Sequence, residues 1–220
     1  LASQTSPIGD STKEMIAAAA DRLKLNGQKA ACVFSGTELS WKANDPLAEY
    51  LYIMEVQLEQ GRWADYLRAM TPALTEIMKR VLDRSGLPEK SYMEFRNGSS
   101  TGKCDPEKVN ANRRLSRAFN LKGNKPVYVT DQQLAALVKE YCDDARIVAL
   151  VSQLRNMEYT RNSLSHEIRP AMQKALEREG GMSMQEVFDS FVSLHDWLVP
   201  NQKMVPGLYR RISEKIVEMI

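Results

Sequence analysis

The sequence contains few of the residues that bind metals or form disulfides. Among 220 residues there are three cysteines, Cys32, Cys104 and Cys142, and two histidines. The cysteines are far apart, and no Cys-x-x-Cys pair occurs. An odd number of widely spaced cysteines argues against a disulfide framework and favours a reducing cytoplasm. A structural zinc site is not expected, and no metal or cofactor is predicted.

The sequence also lacks a long hydrophobic run. No apolar stretch approaches the ~20 residues that are needed to span a bilayer. The first seven residues have neither the basic start nor the apolar stretch of a signal peptide. We therefore predict a cytoplasmic domain that makes no membrane contact. The first residue is Leu1 rather than methionine, which favours a fragment of a longer protein.

Neither sign of charge is in excess. Lysine and arginine number 30 and aspartate and glutamate 28, so the formal net charge is +2. A nucleic-acid partner would have to be held by a local basic patch, because the whole chain is nearly neutral. Aromatic residues make up 7% of the chain, and they are too scattered in the sequence to define a base-stacking platform.

Helix signals dominate what is present. Asp45 and Pro46 have the character of an N-cap and a first helical position. Ser183 and Glu186 have the spacing of a capping box. Short connections between predicted helices favour antiparallel neighbours. We predict an all-α helical bundle with a small N-terminal helical or linker segment, divided at residues 1–44 and 45–220.

Several stretches carry more specific expectations. A capping box predicts a helix over residues 11–25, and residues 29–41 are predicted as a short strand or a buried loop. A proline, Pro72, is expected to kink or restart its helix. Residues 85–105 are poor in pattern, and residues 97–102 within them are predicted as an exposed, mobile loop. Residues 105–119 are predicted as one basic helix.

The longest predicted helix, over residues 144–168, contains an anomaly. Its apolar residues fall on one stripe at helical spacing, and Arg161 lies within that stripe. A charged residue on a core-facing line is unusual, since burial of charge is costly unless the charge is paired or functional. The apolar members of the stripe are Ile147, Val151, Leu154, Met157, Leu164 and Ile168.

His166 does not share the face of Arg161. Counting roughly 100° per residue places it about 140° around the helix, on the face of Arg155, Tyr159 and Asn162. Either the helix is distorted between Arg161 and His166, or a site forms where two copies of the helix meet. The second arrangement accounts for both the misplaced arginine and the polar second face.

The segment Arg161-Asn162-Ser163-Leu164-Ser165-His166 resembles the Arg-Asn-x-x-x-His motif of the HEPN ribonucleases. The stretch over residues 58–75 is similar to the early HEPN helices of the type III CRISPR accessory ribonucleases. The resemblance covers residues 45–220. It implies a metal-independent endoribonuclease that cleaves single-stranded RNA in CRISPR antiviral defence.

The resemblance also implies an organisation. In that family the HEPN domain is a homodimer and follows a CARF sensor domain that binds cyclic oligoadenylate. No Gly-rich phosphate loop or βαβ pattern occurs in this sequence, so the sensor is expected to be absent from the chain. Residues 1–44 would then be the tail of a linking helical region.

The motif residues suit cleavage by the 2′-hydroxyl group of RNA. His166 has an intrinsic pKa range suited to a general base or acid. Arg161 is a permanent cation that can bind a phosphate with two donors. Asn162 can orient the imidazole or donate to the phosphate. The alternatives are a solvated histidine near a helix end and an arginine in a structural ion pair.

Other basic residues are weaker candidates. Arg155 is either an RNA contact beside the motif or an ordinary surface residue. Arg113, Arg114 and Arg117 either grip the RNA backbone or form a solvated face. The second histidine, His195, lies among apolar residues at helical spacing and is expected in the core or in an interface.

Two other functions remain open. One is a HEPN toxin of a toxin–antitoxin pair, which would share the motif. The other is a HEPN-like dimerisation or nucleotide-binding module without activity.

Overall fold

The computed structural model describes residues 31–32, 41–42, 45–121, 123–164, 172–201 and 203–218. Within these residues the chain forms nine α-helices and two antiparallel ribbons of two strands. The predicted all-α class is therefore confirmed. The described residues fall into two compact units, one from the segments Leu1–Arg62 and Val199–Ile220 and one from Trp63–Leu198. None of the described helices has the length and apolarity that crossing a membrane requires.

The strands are short and the helices carry the fold. The strands are β1 (Ala31–Cys32), β2 (Trp41–Lys42), β3 (Met93–Arg96) and β4 (Ser99–Cys104), and a 3-10 helix spans Glu89–Ser91. The α-helices are α1 (Pro46–Glu59), α2 (Trp63–Arg84), α3 (Pro106–Ala111), α4 (Arg113–Phe119), α5 (Asp131–Tyr141), α6 (Ala145–Leu164), α7 (Met172–Gly180), α8 (Met184–Leu198) and α9 (Leu208–Glu218).

Little of the segment 1–44 is described. Strands β1 and β2 pair with Ala31 opposite Lys42 and Cys32 opposite Trp41. Strand β1 lies within the stretch 29–41, for which a strand or a buried loop is predicted. The helix predicted over residues 11–25 lies outside the described residues.

The first unit contains α1 and α9. Asp45 caps α1 as predicted, because its Oδ1 accepts a hydrogen bond from the Leu47 amide at 3.0 Å. The segment before α9 is tied to α1 by a buried bond, in which the Gly207 amide donates to Glu55 Oε1 at 2.8 Å. Burial raises the pKa of Glu55, and the Gly207 bond opposes that rise. A carboxylate thus helps to join the two helices.

The second unit is organised around α2, which packs against α5, α6 and α8. Pro72 lies inside α2, and the helix runs through it from Trp63 to Arg84. Of the two predicted alternatives, the restart at Pro72 is therefore wrong, and the kink stays a prediction. Pro72 is exposed whereas Ala73 and Leu74 are buried. Proline has no amide hydrogen to donate to the carbonyl group four residues earlier in the helix. Because Pro72 lies on the exposed side of α2, that carbonyl group can bond water instead, and packing of the buried side holds the helix together.

The loop predicted over residues 97–102 is wrong, because these residues form the turn and most of the second strand of a β-hairpin. Strands β3 and β4 pair antiparallel on either side of Asn97 and Gly98. Both turn residues have positive φ, 50° and 79°, as a two-residue hairpin turn requires. The Asn-Gly dipeptide was the signal for this turn. The strands beside it are too polar to show a strand pattern.

The single helix predicted over residues 105–119 is two helices, α3 and α4. Asn112 separates them in an extended conformation, with φ −122° and ψ 115°. Its Oδ1 accepts hydrogen bonds from the amides of Arg114 at 2.9 Å and Leu115 at 3.4 Å. An asparagine side chain that caps a new helix competes with continuation of the old one.

Helix α6 carries the predicted apolar stripe. Ile147, Val151, Leu154 and Met157 are all buried, which confirms that part of the prediction. Gly180 at the end of α7 lies so close to the Met157 side chain that a Cβ atom would clash with its sulfur. The extension of the helix to residue 168 lies outside the described residues.

Candidate functional site

The last turn of α6 presents the first two motif residues in different environments. Arg161 is half-buried, whereas Asn162 is exposed. Adjacent residues of a helix point about 100° apart, so one motif side chain faces the interior and the next faces solvent. His166, the third predicted catalytic residue, lies outside the described residues.

Arg161 is connected to α2 by a hydrogen bond. Its Nη2 atom donates to the hydroxyl oxygen of Thr71. The Thr71 hydroxyl in turn donates to Glu158 Oε1 at 2.8 Å. Arg161 Nε is buried and has no hydrogen-bond partner in the described part of the chain. The guanidinium is thus anchored at one nitrogen and retains a donor that is not satisfied.

Glu158 is the buried acid beside the motif, with 2% of its surface exposed. Arg155 Nη1 lies 3.2 Å from Glu158 Oε2. Burial raises the pKa of Glu158, the hydrogen bond from Thr71 lowers it, and the nearby charge of Asp131 raises it further. Asp131 itself accepts a hydrogen bond from Thr75 at 2.6 Å. Two acids and two arginines therefore share the interface of α2, α5 and α6.

Thr71 and Glu158 are site residues that the sequence analysis missed. Glu158 follows Leu154 by four residues and precedes Arg161 by three, which places it on the apolar line of α6. This position could have identified Glu158 from the sequence, because Glu158 is the second charged residue, with Arg161, on the same apolar stripe. Nothing in the sequence singles out Thr71, because its role depends on the packing of α2 against α6.

The structure brings only one of the four predicted RNA-binding arginines to the motif. Arg155 belongs to the Glu158 cluster. Arg113, Arg114 and Arg117 are exposed on α4, where Arg114 lies over the ring of Tyr141 at 5.5 Å and Arg117 lies 3.8 Å from Glu140.

These contacts place α4 at the far end of α5. Tyr141 ends α5, while Asp131 begins it beside the Glu158 cluster. Ten residues of helix rise by about 15 Å. The arginines of α4 are therefore separate from the Arg161 cluster, at a distance that a strand of several nucleotides could bridge.

A groove between α5 and α6 lies beside the motif. Its volume is about 370 Å³, and Tyr159 lines it with 64% of its surface exposed. Tyr159 precedes Asn162 by three residues, so the two side chains are neighbours on one helix face. The residues that line the groove are Gln132, Ala135, Ser152, Arg155, Asn156 and Tyr159.

The second histidine is a core residue, as predicted. His195 is fully buried in α8, and its Nδ1 lies 3.3 Å from Asp196 Oδ1. Within the described ranges, no group of three or more histidine, cysteine, aspartate or glutamate residues is arranged to hold a metal ion.

Comparisons with known proteins agree with the resemblance to the HEPN ribonucleases. The family model described as the Cas_Csm6 HEPN domain matches residues 37–217. The chain is also similar to the CRISPR system endoribonuclease Csm6 of Mycobacterium tuberculosis (strain ATCC 25618 / H37Rv), with 23% identity over 218 residues. This alignment covers 98% of the chain and 49% of the relative. The chain thus spans about half the length of the curated relative that it matches.

Proposed function

This chain belongs to the Csm6 HEPN domain family, and on that premise we propose that it is an endoribonuclease that cleaves single-stranded RNA without a metal ion. The observation that carries the proposal is the motif on α6. Arg161 is anchored there by Thr71 beside a buried acid, and Asn162 is exposed next to it. His166 completes the motif in the sequence.

The proposed reaction uses the nucleophile that RNA already contains. His166 removes the proton from a 2′-hydroxyl group as that oxygen attacks the adjacent phosphorus. The bond from phosphorus to the 5′-oxygen breaks, and this oxygen takes up a proton from a second imidazole. The products are a 2′,3′-cyclic phosphate and a 5′-hydroxyl. Two copies of His166 at a homodimeric site would supply the base and the acid.

Arg161 supplies the cation that this reaction needs. Negative charge develops on the phosphate oxygens in the transition state, and a fixed donor aimed at them stabilises it. Arg161, which Thr71 holds in place and which is half-buried rather than enclosed, fits that role. Asn162 either orients the imidazole or adds a neutral donor to the phosphate.

The biological setting belongs to the same proposal. A cytoplasmic CRISPR-associated ribonuclease of this kind would act in antiviral defence. A cyclic oligoadenylate would control it through a sensor domain other than the helical units described above. The arginines of α4 would contact the RNA backbone away from the scissile phosphate.

The test is cleavage of a labelled single-stranded RNA by the purified chain in the presence of a chelator. We expect cleavage to continue, with products that end in 2′,3′-cyclic phosphate. A matched RNA with 2′-O-methyl riboses and a single-stranded DNA should remain intact. Loss of cleavage in chelator and its return with magnesium would contradict the proposal, as would efficient cutting of the DNA.

Two histidine variants assign the chemistry. His166→Ala should reduce cleavage by several orders of magnitude and leave the circular dichroism spectrum unchanged, because this residue moves the protons. His195→Gln serves as the control, because the buried side chain keeps a polar group in the core and lies in α8. Cleavage at the wild-type rate by the His166 variant would refute its assignment.

A further inference from the structure

The groove between α5 and α6 combines an exposed aromatic ring with hydrogen-bonding side chains. Tyr159 is 64% exposed, although tyrosine is a large amphipathic residue that usually covers part of its ring. Asn156 and Gln132 are exposed amides on the same groove. A volume of about 370 Å³ lies within the range of about 300–1,000 Å³ typical of small-ligand sites. A ring beside amides is the chemistry that recognises a nucleic-acid base.

The groove is continuous with the motif. Ser152, Asn156, Tyr159 and Asn162 follow one another at spacings of four, three and three residues. Such residues form a single stripe along a helix. All four are exposed. A strand that lies along this stripe therefore runs directly to the exposed asparagine of the motif.

A cation lies at the base of the groove. Arg155 lines it, and Arg155 Nη1 is held 3.2 Å from the buried Glu158. The ion pair fixes the guanidinium in place, and 24% of the Arg155 side-chain surface remains exposed. A positioned guanidinium next to an aromatic ring suits a strand that carries a phosphate beside each base.

We propose that this groove is a subsite for single-stranded RNA, in which a base of the nucleotide next to the cleavage site stacks on Tyr159. The neighbouring amides of Asn156 and Gln132 contact the edge of that base, and Arg155 lies beside the backbone. The inference rests on the proposed ribonuclease function. A second copy of the chain is the competing occupant, but the stripe of exposed side chains that leads from the groove to Asn162 of the motif favours RNA.

The test separates binding from cleavage. The probe is a short mixed-sequence RNA with 2′-O-methyl riboses throughout, which cannot supply a nucleophile, and its Kd is measured by fluorescence anisotropy. Tyr159→Ala should raise the Kd by about 5- to 150-fold, the range expected for loss of one stacked base. Tyr159→Phe should retain the wild-type Kd because the ring remains. Asn156→Ala should raise the Kd by a smaller factor.

Tyr128 provides a matched control. It is 68% exposed, Lys103 lies over its ring at 5.0 Å, and it does not line the groove. Tyr128→Ala should leave the Kd unchanged. An unchanged Kd in Tyr159→Ala would overturn the inference. So would a change in solution mass in that variant, because it would show that the groove lies between copies of the chain.

The outcomes also distinguish the subsite from the proposed function. Wild-type chain that binds the probe in a Tyr159-dependent way, but leaves ordinary RNA uncut, would refute the ribonuclease and retain the subsite. Cleavage that depends on His166, together with probe binding that does not depend on Tyr159, would retain the ribonuclease and refute the subsite. Wild-type chain that does not bind the probe would refute the subsite.

Discussion

Arg161 on the last turn of α6 donates a hydrogen bond to the hydroxyl oxygen of Thr71 on α2. The same hydroxyl donates to Glu158, so a neutral side chain stands between the guanidinium and the nearest buried acid. A direct ion pair with a buried acid would neutralise the charge of Arg161 within the protein. Through the hydroxyl, α2 fixes the position of the guanidinium while its charge remains for a phosphate.

Thr71→Val tests this positioning role. The substitution keeps the shape of the side chain and removes the hydroxyl. We expect kcat for RNA cleavage to fall by about tenfold or more with little change in KM, because Arg161 loses its anchor but RNA binds elsewhere. The free energy of unfolding should fall by about 1–3 kcal/mol, because Glu158 Oε1 is left without its donor. Thr71→Ser should restore kcat.

Thr75→Val is the control for Thr71. Thr75 lies one turn further along α2 and donates to Asp131 rather than to Glu158. Its loss should cost a similar free energy of unfolding and leave kcat near the wild-type value. Equal losses of kcat in the two valine variants would show that the effect is general destabilisation rather than positioning of Arg161.

The raised pKa of Glu158 leads to a prediction of how the free energy of unfolding depends on pH. Burial raises its pKa in the folded state, so the folded protein holds this proton more tightly than the unfolded chain. The resulting stability is fully present below the unfolded pKa of about 4.3, and it is lost as the pH rises through the higher folded value. Glu158→Gln should remove this decrease, as measured by urea unfolding from acidic to neutral pH.

Glu186 provides a control of opposite sign. Its carboxylate accepts hydrogen bonds from the Ser183 amide and hydroxyl at the start of α8, and these bonds lower its pKa. Its contribution is present above the unfolded pKa and is lost as the pH falls through the folded one. Glu186→Gln should therefore lose stability at neutral pH. Parallel pH profiles of the two glutamine variants would contradict both assignments.

The sequence predicted the elements whose signals are local. The Asp45 cap, the buried stripe of α6 and the core position of His195 follow from spacing along one helix. The hairpin turn at Asn97 and Gly98 was also encoded locally, but the polar strands beside it concealed the pattern. Polar strands of this kind are stabilised by cross-strand pairs rather than by an apolar face.

The parts of the site that could not be predicted depend on contacts between helices. The apolar stripe marks Arg161 as anomalous, but its partner Thr71 lies 90 positions away in the sequence, on a different helix. Tyr159 was predicted to share a face with Asn162, but whether α5 would cover or flank that face is a question of packing. The spacing of residues along one helix determines in which direction each side chain points, but it does not determine which other helix packs against that side chain.

The arginines of α4 give a prediction about salt dependence. Arg113, Arg114 and Arg117 are exposed and lie away from the Arg161 cluster. Replacing all three with alanine should weaken binding of every RNA sequence alike. The slope of log K against log salt should become shallower by about 0.7 for each phosphate that the protein no longer neutralises, with kcat unchanged. A lower kcat at saturating RNA, with the same salt slope, would contradict a backbone role.

The proposed dimeric site rests on the directions of the motif residues. Arg161 faces α2 and Asn162 faces solvent, while the helical count separates Arg161 and His166 by about 140°. One straight helix would not bring both to one phosphate. Two copies that meet at the motif end of α6, rather than along the groove, would bring two sets of motif residues together across a two-fold axis.

Mixed protomers test that arrangement. Arg161→Ala and His166→Ala homodimers should each be inactive. A heterodimer carries one Arg161 and one His166 at the shared site, whereas each homodimer lacks one of these residues completely, so an equal mixture should regain part of the wild-type rate. Solution mass is the second measurement, since an interface of at least ~1,000 Å² should persist at assay concentrations. A chain that is monomeric where it cleaves RNA fully cannot use a site shared between copies.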